Sequence, residues 1–185
     1  AGMAELAALT GLRMHLHISE TRDEQEACKA RQCGKTPARY LYDLGVFDAP
    51  TTAAHCVWLE GEDFSLLREK GVTVASCPVS NLKLASGVAD VMAMVKDGMN
   101  VCLGTDGAAS NNNLDLFEEI KACTLMAKAK TGDPTAIPAE AALMMATVCG
   151  AKAQGREKEC GQIKLGMDAD LILLDFTQPH LIPCH

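Results

Sequence analysis

Thr51-Thr52-Ala53-Ala54-His55-Cys56-Val57-Trp58 is a short β-prone run that carries a polar ring near its end. The same design recurs in Arg13 to Ser19 before it, and in Val72 to Ser76 and Asn100 to Gly104 after it. Helical material follows each run. In Lys35-Thr36-Pro37-Ala38, Thr36 suits an N-cap and Pro37 the first helical position. That helix runs to Leu44 and stops at Gly45. Glu62 to Lys70, ended by Gly71, and Val88 to Lys96, ended by Gly98, are the next two. Strands alternating with helices of this length imply βαβ units and a parallel sheet, an α/β fold.

After the fourth strand the pattern changes. Leu114 to Ala129 reads as a helix with an apolar face at Leu116, Ile120, Cys123 and Ala127. A second helix starts at Pro138 and runs through Met144 and Met145. Beyond Gly155 the residues turn β-like, in Gly161-Gln162-Ile163 and in Ala169 to Leu174. A separate small β module is expected there.

Composition narrows the function. The 185 residues are 48% hydrophobic and 22% charged, with a formal net charge of -7. At about 150 residues per domain, one domain with a small appendage is expected. This is enough apolar material for a core, which excludes disorder as the main state. The acidic balance, without a Lys/Arg run, argues against a nucleic-acid partner. The longest apolar stretch, Ala141 to Cys149, falls far short of the ~20 residues of a spanning helix, so no membrane partner is expected. The 9 cysteines are odd in number and contain no Cys-x-x-Cys, so most read as buried, reduced thiols in a cytoplasmic protein. The chain opens Ala1-Gly2-Met3 without a signal-peptide pattern and closes on Pro183-Cys184-His185 without a helix stop. A fragment of a longer protein is expected.

The chemistry-bearing residues gather at the carboxyl ends of the four strands, the edge that carries the site in barrels and open parallel sheets. They are His17 and Glu20, then His55, then Cys77-Pro78 with Ser80-Asn81, then Thr105-Asp106-Gly107. Singly, each has a plain reading. A strand-end His is commonly a hydrogen-bonded structural residue, and Asp106 between Thr and Gly suits a turn. Ser110-Asn111-Asn112-Asn113 reads as a loop feeding a helix. Met92, Met94, Met144 and Met145 read as core, and His180 and His185 get no role. Jointly, His17, His55 and Asp106 are groups of the kind a divalent metal takes. Glu20, a short turn beyond His17, can stay off the metal and move protons.

The chain resembles the amidohydrolase superfamily, and within it the 5-methylthioadenosine/S-adenosylhomocysteine deaminases and their chlorohydrolase relatives. The resemblance rests on His17-Ile18-Ser19-Glu20-Thr21, Ala54-His55-Cys56 and Cys77-Pro78-Val79-Ser80-Asn81-Leu82-Lys83-Leu84. It continues in Leu103-Gly104-Thr105-Asp106-Gly107-Ala108-Ala109-Ser110-Asn111-Asn112, Gly150-Ala151-Lys152-Ala153 and Gly166-Met167-Asp168-Ala169-Asp170-Leu171-Ile172. It implies the C-terminal half of a (β/α)8 TIM-type barrel, strands five to eight, over residues 1–155. Residues 156–185 would be part of a small flanking β-sandwich. By position, His17 and Asp106 would be metal ligands, Glu20 the proton shuttle, and His55 the group that polarises hydroxide and substrate. Ser80, Asn81 and Lys83 would line the mouth, with no contact assigned to them and substrate-binding residues left unknown.

The family's first strand supplies a His-x-His pair, and His15-x-His17 has the alternation to be that pair. Against this, Glu20-Thr21 and the next three motifs follow in order, which favours His17 as the fifth-strand ligand with His15 packing beneath it. The implied cofactor is a divalent metal, zinc for preference, and the implied reaction is hydrolytic deamination of an adenine nucleoside. A guanine or cytosine deaminase, a triazine chlorohydrolase, and an inert half-barrel remain alternatives. Self-association, or pairing with the missing barrel half, is expected of the chain as it stands.

Overall fold

The β-prone runs pair in the order in which they occur. In the computed structural model, which describes residues 2–182, they become β1 (Met14–Ile18), β2 (Thr51–His55), β3 (Thr73–Ser76) and β4 (Val101–Leu103). All pairings are parallel, in the order β1-β2-β3-β4. Parallel neighbours need a crossover, and the sequence between strands supplies it. The helices before β4 are α1 (Gly2–Thr10), α2 (Arg22–Arg31), α3 (Pro37–Asp43), α4 (Asp63–Glu69), α5 (Pro78–Lys83) and α6 (Val91–Lys96). Those after it are α7 (Ala108–Asn111), α8 (Leu116–Thr131), α9 (Ala139–Ala146) and α10 (Val148–Ala153). The expected caps are present: the Thr36 hydroxyl accepts the Arg39 N–H, Pro37 is the first helical residue, and Gly45 turns left-handed at a φ of +70°.

Register assigns each strand residue a face. Met14, Leu16, Ile18, Ala53, Val74, Val101 and Leu103 face the helices and join the main core with Phe47, Leu67, Met94 and Ile137. His15, His17, Thr52, Ala54, Ala75 and Cys102 share the opposite, inner face. α10 covers the inner face near the strand starts, where Ala75, Cys102 and Ala153 pack together. Arg13 Nε and Thr52 Oγ1 both donate to the Ala153 carbonyl, at 3.0 Å each. Elsewhere that face is open, and His15 is exposed on it rather than packed beneath His17.

Two expectations need correction, at Leu116 and Met144. In the tail, among the described residues no strand follows α10, and Ile163, Leu165 and Leu171 to Leu173 are exposed. A strand persists only with a hydrogen-bonding neighbour, and these residues have none alongside. On α8 the expected face is buried at Cys123 and Ala127, with Ile120 packed against the core and Glu119 joining it, but Leu116, the first residue of the helix, is exposed. Met144 is also exposed, whereas Met94 and Met145 are core. Cys56, Cys77, Cys102 and Cys123 are buried free thiols; Cys28, Cys149 and Cys160 are half-buried and Cys33 is exposed. Cys184 and His185 lie outside the described residues.

Candidate active site

The site is built from the four strand ends. Beyond β1 the chain enters α2 through Thr21, whose hydroxyl accepts the Glu24 N–H at 3.1 Å. Glu24 reaches back, its carboxylate accepting the N–H groups of Ser19 at 2.9 Å and Glu20 at 2.7 Å. This resembles a capping box, shifted so that Glu24 takes the N–H groups of the two residues before the N-cap, and it fixes the short turn that carries Glu20. Ser19 takes a φ of +50° there.

His55 reaches the site by breaking alternation. Its register partner is Ile18, which lies in the helix-side core, so regular β-structure would bury the ring among the helices. A φ of +69° at His55, followed by +50° at Cys56, turns the ring away. It stacks on His17 instead, with centroids 5.1 Å apart and planes at 28°. Left-handed backbone at a non-glycine residue costs about 1–3 kcal/mol and collects at functional sites. Asp106 shows the same conformation, at a φ of +61°.

His17, His55 and Asp106 each bring one ligand atom to within 4.8 Å of the others. Glu20 stands beside them, Oε2 lying 3.8 Å from His55 Nε2. The four residues singled out in the sequence therefore meet in space. His15 is not in the cluster, which leaves His17 as the β1 residue in it.

The supporting residues come from ordinary polar positions around the site. Ser80 and Asn81 do not line a mouth; they are buried on α5 behind the site. Ser80 Oγ and Ser110 Oγ each donate to Asp106 Oδ2 at 2.7 Å. Desolvation alone would raise the Asp106 carboxyl, but the two hydroxyls, the Gly107 N–H and nearby His55 outweigh it and lower its pKa to about 2. Glu119, fully buried, accepts the Val79 N–H at 3.1 Å and the Asn111 side-chain amide, tying α5 to α7 behind Asp106. Burial pushes the Glu119 carboxyl up. Lys83, exposed, donates to Ala109 O and Asn112 Oδ1 at 2.6 Å each, a second tie between the same segments. Asn81 Oδ1 lies 2.8 Å from His55 Nδ1, and Ser86 Oγ reaches Glu20 Oε1 at 3.5 Å. Gly87 permits this loop: at a φ of +127°, a Cβ would lie 2.9 Å from Val57 Cγ1. Nothing in the apolar periodicity of 80–86 signals these roles; the hydroxyls and amide of an ordinary polar stretch carry them.

Two imidazoles and an ionised carboxylate converging from separate strands fit a zinc-type divalent ion. The nearby Cys77 thiol offers no competing thiolate, since burial pushes its pKa up to about 12.

The amidohydrolase family profile matches residues 1–183. The chain belongs to the amidohydrolase family. It is 55% identical over 181 residues to the 5-methylthioadenosine/S-adenosylhomocysteine deaminase of Moorella thermoacetica, covering 98% of this chain and 42% of that protein. It is 52% identical over 184 residues to the 5'-deoxyadenosine deaminase of Methanosarcina mazei, covering 100% of this chain and 42% of that one. This amidohydrolase chain thus spans less than half the length of those relatives. Among solved structures it resembles an adenosine deaminase from Xanthomonas campestris with bound zinc, at a TM-score of 0.92 and 38% identity over 98% of this chain and 41% of that one. It also resembles the atrazine chlorohydrolase of Arthrobacter aurescens TC1 complexed with zinc, at 0.87 and 26% over 98% and 40% of the two chains. No helix among the described residues of this amidohydrolase is long and apolar enough to cross a membrane.

Proposed function

We propose that the complete protein deaminates an adenine nucleoside hydrolytically, and that this chain is the C-terminal half of its barrel. The observation that carries the reading is the convergence of His17, His55 and Asp106 beside Glu20. The names of the relatives support a 5-methylthioadenosine/S-adenosylhomocysteine or 5'-deoxyadenosine type of substrate. Residues 1–155 would form barrel strands five to eight and residues 156–185 part of the sandwich. The convergence of His17, at the end of β1, and Asp106, beyond the end of β4, on one point supports the barrel. The free thiols fit a reducing, cytoplasmic setting.

His17 and Asp106 would hold a divalent metal, zinc for preference. When bound, such an ion supplies hydroxide at neutral pH by lowering the pKa of water from about 15.7 to about 7. Glu20, partly exposed at the strand end, would carry the first proton of the attacking water to the ring nitrogen, and then the second, from the hydroxyl so formed, to the amino group, which leaves as ammonia when the C–N bond breaks. His55 would hold the attacking water from a buried, pre-set position, its ring nitrogen accepting the water's O–H. A substrate panel on the complete protein tests the reading: release of ammonia from adenine nucleosides is expected, and activity confined to guanine, cytosine or triazines would replace it.

His55→Asn should slow turnover with the metal largely retained, because its partner is the hydroxide and substrate. Elemental analysis decides; a variant that purifies metal-free makes His55 a ligand.

The chain alone should behave poorly. β1 is an unpaired edge beside an open apolar groove of about 700 Å³ lined by Met3, Leu6, Leu12, Leu16 and Leu41. Unpaired edges and contiguous apolar area drive association. We expect light scattering to show self-association of the 185-residue chain, and metal titration to show weak zinc binding. A monodisperse monomer with tight stoichiometric zinc and turnover contradicts both.

A further inference from the structure

One segment touches three of the four site residues. Ser80 bonds Asp106, Asn81 bonds His55 and Ser86 reaches Glu20. Its backbone is fixed from both sides: Asn81 N–H donates to Cys77 O at 2.9 Å, and Ser86 N–H to Asn81 O at 2.8 Å. The Asn81 side chain is therefore held where it stands, 2% exposed and facing a ring that is 1% exposed.

That contact fixes a proton. Asn81 presents its carbonyl oxygen, Oδ1, to His55 Nδ1 at 2.8 Å. An amide oxygen only accepts, so Nδ1 must be the nitrogen that carries hydrogen in the neutral ring. Nε2 is then the nitrogen with the free lone pair, and it is the one that faces Glu20 Oε2 at 3.8 Å. We propose that Asn81 is a positioning residue that holds His55 as its Nδ1–H tautomer and so presents Nε2 to Glu20 and the substrate. Which ring nitrogen is protonated is set by the hydrogen bond the other one makes. The left-handed backbone turns the ring into the site, and Asn81 decides how the ring is protonated once there. The functional consequence rests on the reading of His55 as a catalytic group; the tautomer itself does not.

Nitrogen-15 NMR of labelled histidine in the metal-free complete protein tests the assignment directly. His55 should show a protonated Nδ1 and an unprotonated Nε2. Asn81→Asp, which keeps an acceptor in place, should preserve this pattern. Asn81→Leu, which removes it, should shift His55 toward the Nε2–H tautomer. In the zinc-loaded protein Asn81→Leu should lower kcat by about 10–100-fold, the usual cost of losing an orienting partner, with KM little changed. A wild-type His55 protonated on Nε2 overturns the proposal without any variant, and so does an unchanged tautomer in folded Asn81→Leu. If the tautomer behaves as stated but His55→Asn keeps full turnover, the assignment of Asn81 to the tautomer stands and the catalytic reading of His55 fails.

Discussion

Glu20→Gln in the complete protein is expected to lose about 10²–10⁴ of its turnover, the contribution of general acid–base catalysis, with metal content unchanged. Glu20 sits outside the cluster of ligand atoms, 3.8 Å from His55 Nε2. Its backbone is held by Glu24 and its side chain meets Ser86, and neither contact depends on the carboxylate charge. Glutamine keeps the shape and one carbonyl oxygen but cannot carry a proton between water and substrate. The fold and the ligands are untouched, so the loss should fall on kcat. Near-normal activity in a fully metal-loaded variant would remove Glu20 from the mechanism.

Asp106→Ala is expected to lose metal and activity together. The carboxylate is ionised throughout the physiological range, its pKa about 2 because the hydroxyl and amide donors outweigh desolvation. Ser80 and Ser110 both occupy Oδ2, leaving Oδ1 as the oxygen free of these bonds. Removing the side chain deletes the single anionic ligand proposed and leaves two hydroxyls without their acceptor. Ser80→Ala or Ser110→Ala should weaken metal binding less, by about 10–100-fold, as expected for an orienting partner. Normal metal content in Asp106→Ala, measured by elemental analysis, refutes its ligand role.

Much of this was legible because the relevant signals are local. Each strand is a short β-prone run, each crossover helix has its own start or stop residue, and the four site residues sit at strand ends. The tail illustrates the opposite case. Ala169 to Leu174 has strand-like composition, yet strand formation depends on a neighbour that composition cannot supply. Glu119 was hidden for a related reason: its burial depends on donors from Val79 and Asn111, remote from any pattern along α8. His55 was correctly singled out, although its register places it on the wrong face; only the backbone angle resolves that. Ser80, Asn81 and Ser110 act through partners 26, 26 and 4 residues away, and a single polar side chain does not announce its partner.

His17 and Asp106 lie at opposite edges of the sheet, so an ion shared between them would clamp the first strand to the last. Such a clamp ties metal loading to cooperative melting. A ligand that binds only the folded state at a thousandfold excess over its Kd adds about 4.1 kcal/mol. Chelation should therefore lower the Tm of the complete protein, and the ion would serve as a gauge of whether all four strands have closed up.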